Sequence, residues 1–291
     1  MSVSTGEKIE TLNVCFGTYP HTKALKEGKI KSDRVALQFT EINPVNRAFM
    51  PMAREQKFDI SEMAIVTYLQ AKAYNKSLVL MPATMMGRFQ HGTMLYNSER
   101  GTLRPEDLPG KRVGVRAFSQ TTGVWIRGIL WKDYGLDLGT VKWVTFEDAH
   151  VAEFRDTTKR APAGKGIIQM LVDGELDAVL GEKVDHPDLK PLFPNAGREE
   201  KSWFAKHGVT PINHMVVVSE RLSQDHPEAA REVSRLLRES ATLASTASPQ
   251  FSADEMRRSL EMIVRYAAQQ GLIPRACAVD ELFDDMTRTL R

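Results

Sequence analysis

Short apolar runs alternate along the chain with longer segments whose apolar residues recur every three or four positions. Short runs bounded by glycine, proline and polar residues are typical of strands, and the longer periodic segments of amphipathic helices. Their alternation predicts an α/β protein, with helices packed on sheets. Strands are predicted at 12–17, 35–39, 58–60, 78–82, 93–96, 112–115, 141–146, 176–180 and 211–219. Helices are predicted at 44–56, 61–74 with Ser61 as N-cap, 124–134, 166–172, 227–244, 253–269 and 279–290, with a short one before Gly28.

Two stretches of the chain resemble each other. The segments 57–62 (KFDISE) and 174–179 (GELDAV) each follow a helical pattern and place an aspartate, Asp59 or Asp177, at the start of a short apolar strand. Two copies of one α/β unit, with the chain returning to the first copy, predict two lobes with a cleft. Chance recurrence of a common helix–turn–strand pattern is the alternative explanation.

Composition and charge narrow the class of protein. The 291 residues carry 39 Lys and Arg against 37 Asp and Glu, with 42% hydrophobic and 26% charged residues. These fractions are ordinary for a globular protein and exclude disordered, collagen-like and coiled-coil chains. The length suffices for two lobes of about 100–150 residues each. The basic residues are interleaved with acids instead of clustered, so no nucleic-acid partner is expected.

The chain lacks the sequence signs of membrane insertion or export. No apolar stretch approaches the roughly 20 residues of a membrane span. The polar, acid-containing residues 1–10 do not resemble a secretory signal, so we expect a cytoplasmic protein with no membrane partner. Cys15 lies in an apolar run and is expected in the core, although a disulfide with Cys277 is an alternative.

The most specific local pattern surrounds a predicted helix start. Ligands of open α/β sheets bind beyond the carboxyl ends of strands, often at helix N-termini. Ser119, Gln120, Thr121 and Thr122 precede the helix that begins near Gly123. Their hydroxyls and free N–H groups suit an anion, particularly a carboxylate, and the nearby arginines at 116 and 127 are suited to bidentate contacts. The alternative is that Ser119 or Thr121 merely caps the helix.

Further candidate side chains follow other strand ends. They are Arg88 and His91, which could line a polar aromatic-binding pocket; Glu62, a base or hydrogen-bond acceptor; His214; and Tyr19 with His21 at the first strand end. Each has a plainer explanation. Arg88 would be a surface residue, the histidines structural, and Glu62 an acid favoured in the first turn of a helix.

Known cofactor and nucleophile motifs are absent from the sequence. The seven histidines show no metal-binding spacing, and there is no nucleotide-binding glycine motif and no serine-hydrolase elbow. We therefore expect no cofactor. A divalent metal held by His91, His214 and Glu62 is the alternative.

Four segments in order resemble one known family. FDISEM at 58–63, RFQH at 88–91, SQTTGVWIRG at 119–128 and PINH at 211–214 are similar to segments of the 4,5-dihydroxyphthalate decarboxylases, a branch of the type 2 periplasmic-binding-protein-like fold. The resemblance runs from about residue 12 to the C-terminal helices, and the block at 119–128 is its most specific part. The segment 147–164 has no counterpart that we can place and could line the cleft.

The resemblance implies a two-lobed architecture, with two mixed sheets flanked by helices and a ligand cleft between the lobes. One lobe would comprise residues 8–97 and 213–291 and the other residues 98–212. The chain would cross between them near 96–100 and 210–214.

The resemblance also implies cofactor-independent decarboxylation of an aromatic hydroxy-carboxylate in aromatic-compound catabolism. The expected reaction converts 4,5-dihydroxyphthalate to 3,4-dihydroxybenzoate, with the para hydroxyl supplying electrons. Assigned from residue chemistry, the predicted catalytic residues are His91, His214 and Glu62. The predicted substrate-binding residues are Tyr19, His21, Arg88, Ser119, Gln120, Thr121, Thr122 and Arg127.

A different class of function fits the same fold. The alternative is a non-catalytic solute-binding protein of an importer for a carboxylated or aromatic ligand, against which the absence of an export signal argues. The expected partner is in either case a small carboxylate, and the sequence leaves a homo-oligomer open.

Overall fold

The computed structural model of the protein describes residues 10–244 and 249–290. Its strands are β1 (Glu10–Cys15), β2 (Val35–Phe39), β3 (Ile60–Ala64), β4 (Leu78–Gly87), β5 (Met94–Asn97), β6 (Arg112–Val115), β7 (Lys142–Thr145), β8 (Lys159–Arg160), β9 (Ala178–Leu180), β10 (Leu189–Pro191) and β11 (Ile212–Ser219). Its α-helices are α1 (Pro20–Lys26), α2 (Phe49–Glu55), α3 (Ile65–Ala73), α4 (Thr121–Tyr134), α5 (Ile167–Val172), α6 (Ala196–His207), α7 (Glu220–Asp225), α8 (Pro227–Thr242) and α9 (Ala253–Gln269).

The chain divides into two compact units. The first takes its described residues from Met1–Met86, His214–Arg257 and Cys277–Arg291. The second comprises Gly87–Asn213 and Arg258–Ala276. The division differs from the predicted boundaries in three places, because 87–97, Asn213 and 258–276 fall in the second unit. Strand β5 explains the first difference, since it pairs with β9 and β10 of the second sheet.

The first sheet has the strand order β2-β1-β3-β11-β4. Strand β1 runs parallel to β2 and β3, whereas β11 is antiparallel to β3. Because β3 lies between two neighbours and under helices, all five of its residues are buried. Apolar side chains of β1, β4, β11 and the inner face of α8 form the core of this unit.

The second sheet has the order β10-β5-β9-β6-β7-β8. Strands β9, β6, β7 and β8 are parallel, and β5 is antiparallel to both of its neighbours. Helix α4 is buried over ten consecutive residues from Thr121 to Leu130. A buried helix of this kind needs close-packed neighbours. Gly128 supplies one such contact, since a Cβ there would come 2.0 Å from the ring of Tyr266.

The two similar stretches of sequence, 57–62 and 174–179, make matching backbone contacts, one in each unit. The Asp59 carboxylate accepts a hydrogen bond from the backbone N–H of Asn13 at 2.8 Å, and the Asp59 N–H donates to the Asn13 carbonyl. Asp177 makes the same two bonds, at 2.8 Å each, with the backbone of Arg112. In each unit the aspartate thus joins the start of one parallel strand to its neighbour.

The prediction of an α/β fold with two mixed sheets flanked by helices is confirmed. Two predicted elements are wrong. Residues 61–64 continue strand β3, so Ser61 is not an N-cap, and α3 starts at Ile65. Residues 279–290 form two short 3-10 turns instead of a helix, because the Asp284 carboxylate binds the Thr287 N–H and hydroxyl and interrupts helical bonding.

Other sequence-based expectations concern single features. Cys15 is fully buried, as predicted, and no disulfide joins it to Cys277. Within residues 10–244 and 249–290, no helix is long and apolar enough to cross a membrane. The prediction that no secretory signal is present concerns residues 1–10, and residues 1–9 lie outside the described part of the chain.

Candidate functional site

A buried glutamate is the centre of a hydrogen-bonded cluster in the first unit. Glu62 lies in the middle of β3, and its side chain is 0% exposed. Its Oε2 accepts the backbone N–H of Gly17 at 2.9 Å. Its Oε1 accepts the Tyr19 hydroxyl at 2.7 Å and is 2.6 Å from Nδ1 of His214. Glu62 lies in strand β3. The alternative interpretation, an acid favoured in the first turn of a helix, therefore does not apply to it.

The turn after β1 brings Tyr19 onto this glutamate. A Cβ at Gly17 would lie 2.7 Å from the Tyr19 ring, so only glycine lets the ring fold back over the chain. The Thr22 hydroxyl accepts the Tyr19 N–H and donates to the Gly17 carbonyl, both at 2.8 Å, which fixes the start of α1. The His21 ring stacks on Tyr19 with centroids 5.2 Å apart.

Strand pairing places His214 beside Glu62. In the antiparallel pair of β3 and β11, Val216 is opposite Glu62 and His214 is opposite Ala64. Residues two positions apart share a sheet face, so His214 is the diagonal neighbour of Glu62, within reach of a long side chain. The edge of Phe49 packs against the imidazole with centroids 4.9 Å apart. The His214 side chain is 15% exposed, so its ring is held firmly but remains reachable.

The charge state of the cluster follows from its contacts. Burial alone would raise the pKa of the Glu62 carboxyl, but the hydrogen bond and charge of His214, with the bonds from Tyr19 and Gly17, hold that pKa below its ordinary value. Burial and the Glu62 charge raise the pKa of Tyr19, so its hydroxyl stays a donor. Burial lowers the pKa of His21 despite the opposing charge of Glu62.

This arrangement defines one tautomer of His214. An ionised carboxylate only accepts hydrogen bonds, so Nδ1 of His214 must carry a proton. The lone pair of the neutral ring then lies on Nε2. A histidine oriented in this way by a buried carboxylate can act as a general base when neutral and as a general acid when protonated. His21 adds a second neutral imidazole, whose buried Nε2 has no hydrogen-bond partner among the described residues.

The second unit contains the predicted anion-binding helix start. Helix α4 begins at Thr121 with Gln120 as N-cap, and the Gln120 side chain makes no capping hydrogen bond. Gln120, and neither Ser119 nor Thr121, is therefore the N-cap residue of α4. The Gln120 side chain packs on Gly181, where a Cβ would lie 2.7 Å from Nε2 of Gln120. The first N–H groups of an α-helix have no partner within the helix, and a helix start of this kind can bind an anion.

A buried polar network adjoins this helix start within the second unit. Gln90 Nε2 donates to the side-chain oxygen of Asn213 at 2.6 Å, and Asn213 Nδ2 donates to the Thr122 hydroxyl at 3.2 Å. His91 is 1% exposed and packs against the rings of Phe193 and Trp203. Burial lowers the pKa of His91, although the charges of nearby acids oppose this. Its surroundings are those of a core histidine, and its catalytic role stays a prediction.

The two predicted arginine ligands have different surroundings. Arg127 is 0% exposed, donates to the Phe118 carbonyl and to Gln270 Oε1, and stacks on the Phe118 ring at 4.0 Å. These contacts give it a structural role. Arg88 is exposed, and its backbone N–H donates to the Pro211 carbonyl. A substrate-binding role for either arginine stays a prediction.

Each unit thus gathers part of the predicted set. Tyr19, His21, Glu62 and His214 form one cluster in the first unit. Ser119, Gln120, Thr121, Thr122, Arg88, His91 and Arg127 belong to the second unit. Gly17 and Phe49 were not among the predicted site residues, although a glycine two residues before an aromatic residue at a strand end was a signal for Gly17. In the described part of the chain, no three His, Cys, Asp or Glu side chains group as a metal site requires.

Comparison with curated proteins finds two similar relatives. One, from Comamonas testosteroni, is named 4,5-dihydroxyphthalate decarboxylase and is 27% identical over 92% of this chain and 89% of its own length. A second protein of that name, from Pseudomonas putida, is 27% identical over 66% of this chain and 81% of its own length. No family model matches the chain.

Solved structures show the fold. The alkanesulfonate-binding protein SsuA from Xanthomonas axonopodis pv. citri has a TM-score of 0.60 at 14% identity, over 96% of this chain and 99% of that protein. The desulfurization enzyme DSZB has a TM-score of 0.52 at 12% identity, over 96% of this chain and 97% of that enzyme. The predicted resemblance is confirmed: this chain has a periplasmic-binding-protein-like fold and is a relative of proteins named 4,5-dihydroxyphthalate decarboxylase.

Proposed function

We propose that the protein is a decarboxylase of an aromatic hydroxy-carboxylate, with 4,5-dihydroxyphthalate as the first substrate to test. The observation that carries the proposal is the bond between the buried Glu62 carboxylate and Nδ1 of His214. This bond provides an oriented acid–base imidazole, which decarboxylation of an electron-rich ring needs. The names of the two curated relatives support the choice of substrate.

The chemistry requires one proton at a ring carbon. In 4,5-dihydroxyphthalate each carboxylate is para to a hydroxyl, so loss of that hydroxyl proton pushes electrons toward the carbon bearing the carboxylate. Protonated His214 gives its Nε2 proton to that carbon, which forms a dienone. The carbon–carboxylate bond then breaks, CO₂ leaves, and its electron pair restores the aromatic ring. The phenolate regains a proton, and the product is 3,4-dihydroxybenzoate.

The other members of the cluster take supporting roles. Glu62 positions His214, since its buried carboxylate lies against the imidazole. His21, with its unpartnered Nε2, is suited to accept a hydrogen bond from the reacting hydroxyl. A substrate-binding role for Ser119 to Thr122 at the start of α4 stays a prediction.

Measurement of CO₂ release from 4,5-dihydroxyphthalate, with and without chelator, tests the proposal. H214A should lower kcat about 10²–10⁴-fold, the usual contribution of a general acid–base group, and added imidazole should restore part of the rate. H226A is the matched control, because His226 is also paired with a glutamate in the first unit, at 3.4 Å from Glu10, but is 45% exposed. H91A tests the predicted role of His91 in the same assay.

Two results would contradict the proposal. The first is that wild-type protein releases no CO₂ from this or related hydroxylated phthalates. The second is that H214A and H226A turn over equally fast.

The fold neighbours favour one second candidate. SsuA is an alkanesulfonate-binding protein, and its similarity supports a solute-binding role for an anionic ligand. Tight binding of a carboxylate without turnover, together with recovery of the protein outside the cytoplasm on cell fractionation, would favour this candidate. Turnover by protein recovered in the cytoplasm would favour the enzyme.

A further inference from the structure

The second unit has a large groove lined by residues of α4, of β7 and of the segment just before α4. The groove has a volume of about 920 Å³, within the usual range for small-molecule sites. Aromatic side chains form much of its wall, namely Phe118, Trp131 and Trp143. Since Trp131 lies in the second half of α4 and Trp143 in β7, helix and sheet each supply one indole.

A buried cation lies behind this aromatic wall. The Arg127 guanidinium carbon is 4.0 Å from the centre of the Phe118 ring and 5.4 Å from that of Trp143. Burial lowers the pKa of Arg127 to about 9, so the group is still charged at neutral pH. Its Nη1 finds no hydrogen-bond partner among the described residues. A buried positive charge with an unused donor attracts negative charge.

The rim of the groove is also positively charged, like the buried Arg127. Lys142 and Lys159 line it, and neither forms an ion pair within the described part of the chain. Asp137 is the one acidic side chain in the lining, and its carboxylate already accepts the Gly139 N–H at 2.9 Å. The groove therefore combines flat aromatic walls with a net positive charge.

We propose that this groove is a binding site for a planar aromatic carboxylate, separate from the Glu62–His214 cluster. The ring of the ligand stacks on Trp131, the more exposed of the two indoles in the wall, because flat π-systems pack against indoles. Its carboxylate meets the Lys142 and Lys159 ammonium groups at the rim. The site binds its ligand without turnover, so it acts whatever reaction the first unit performs.

Tryptophan fluorescence tests the proposal with benzoate as the probe. All four tryptophans belong to the second unit, and Trp131 and Trp143 line the groove. Benzoate should quench the emission in a saturable manner, whereas neutral benzamide should not. The double variant K142Q/K159Q should weaken benzoate binding about 3- to 10-fold, as removal of two exposed charge contacts would, with turnover of the proposed substrate unchanged. W131F should reduce the amplitude of quenching.

The variant K201Q is the matched control, since Lys201 is an exposed lysine of α6 that does not line the groove. Its affinity for benzoate should equal that of the wild type. Equal affinities of K142Q/K159Q and wild-type protein would overturn the proposal, as would equal quenching by benzamide or an unchanged amplitude in W131F. These binding experiments do not depend on turnover. Their results would therefore stand even if the protein proved not to be a decarboxylase.

Discussion

The substitution E62Q separates the charge of Glu62 from its shape. The carboxylate accepts hydrogen bonds on both oxygens, from Gly17 on Oε2 and from Tyr19 and His214 on Oε1. An amide accepts on one side only. If its oxygen stays on Gly17, its NH₂ group points at Nδ1 of His214 and forces the ring into the other tautomer. If the amide is flipped, its NH₂ group meets the Gly17 N–H. In both orientations a buried donor loses its acceptor.

The expected effects follow from these contacts. A hydrogen bond to a charged group contributes about 1.5–3 kcal/mol, so E62Q should lower the free energy of unfolding by at least one such bond. The loss of the oriented imidazole should lower kcat about 10²–10⁴-fold, while the KM for the substrate changes little, since Glu62 is buried behind His214. A downfield imidazole N–H resonance should be present in wild-type protein and absent in both E62Q and H214A.

The matched control is E232Q. Glu232 is also a buried glutamate of the first unit, 6% exposed, and accepts bonds from Ser32 at 2.7 Å and from Arg235 at 2.6 and 2.9 Å. This variant should lose stability and keep its kcat. A kcat of E62Q within threefold of wild type, with the downfield resonance retained, would refute the idea that Glu62 orients His214.

Three further predictions concern stability. G128A should destabilise the protein by about 1–3 kcal/mol, measured by denaturant unfolding, because its Cβ would lie 2.0 Å from the Tyr266 ring; unchanged stability would contradict that packing. D59A and D177A should each cost about 1–2 kcal/mol, and a marked inequality would contradict the equivalence of the two strand contacts. The folded-state pKa of Glu62 is lowered, so its stabilising contribution is full above the ordinary carboxyl pKa and is lost as the pH falls through the lower folded value. The melting temperatures of E62Q and wild type should therefore begin to converge as the pH falls below about 4, and parallel curves would contradict the assignment.

The sequence predicted most elements because their patterns were local. Helix α9 has the predicted bounds, and the centre of β6 was clear from a short apolar run next to a turn. The β3 segment was different. All its residues are buried, so it shows no alternation, and Ser61 and Glu62 in its middle resembled a helix cap. The pattern could not show that polar residues there would be satisfied by partners from elsewhere in the chain.

Candidate residues were easier to predict than their arrangement. Glu62 and His214 were both candidates from their chemistry, but 152 positions separate them in sequence. Their contact depends on the register of β3 and β11, which single-residue patterns do not encode. In the same way, Arg127 was predicted to bind substrate because it follows the helix start. On the buried helix α4 its guanidinium instead donates to Phe118 and Gln270.

The position of β11 inside the first sheet has a consequence for synthesis on the ribosome. Strand β11 lies between β3 and β4, yet about 125 residues of the second unit are made between β4 and β11. At about 5–20 residues per second, the facing edges of β3 and β4 wait on the order of 10 s for the strand that joins them. Over that interval these apolar edges are open to pairing with other nascent chains. The first half of this protein should therefore be the part that depends on chaperones, and slower translation should increase its aggregation.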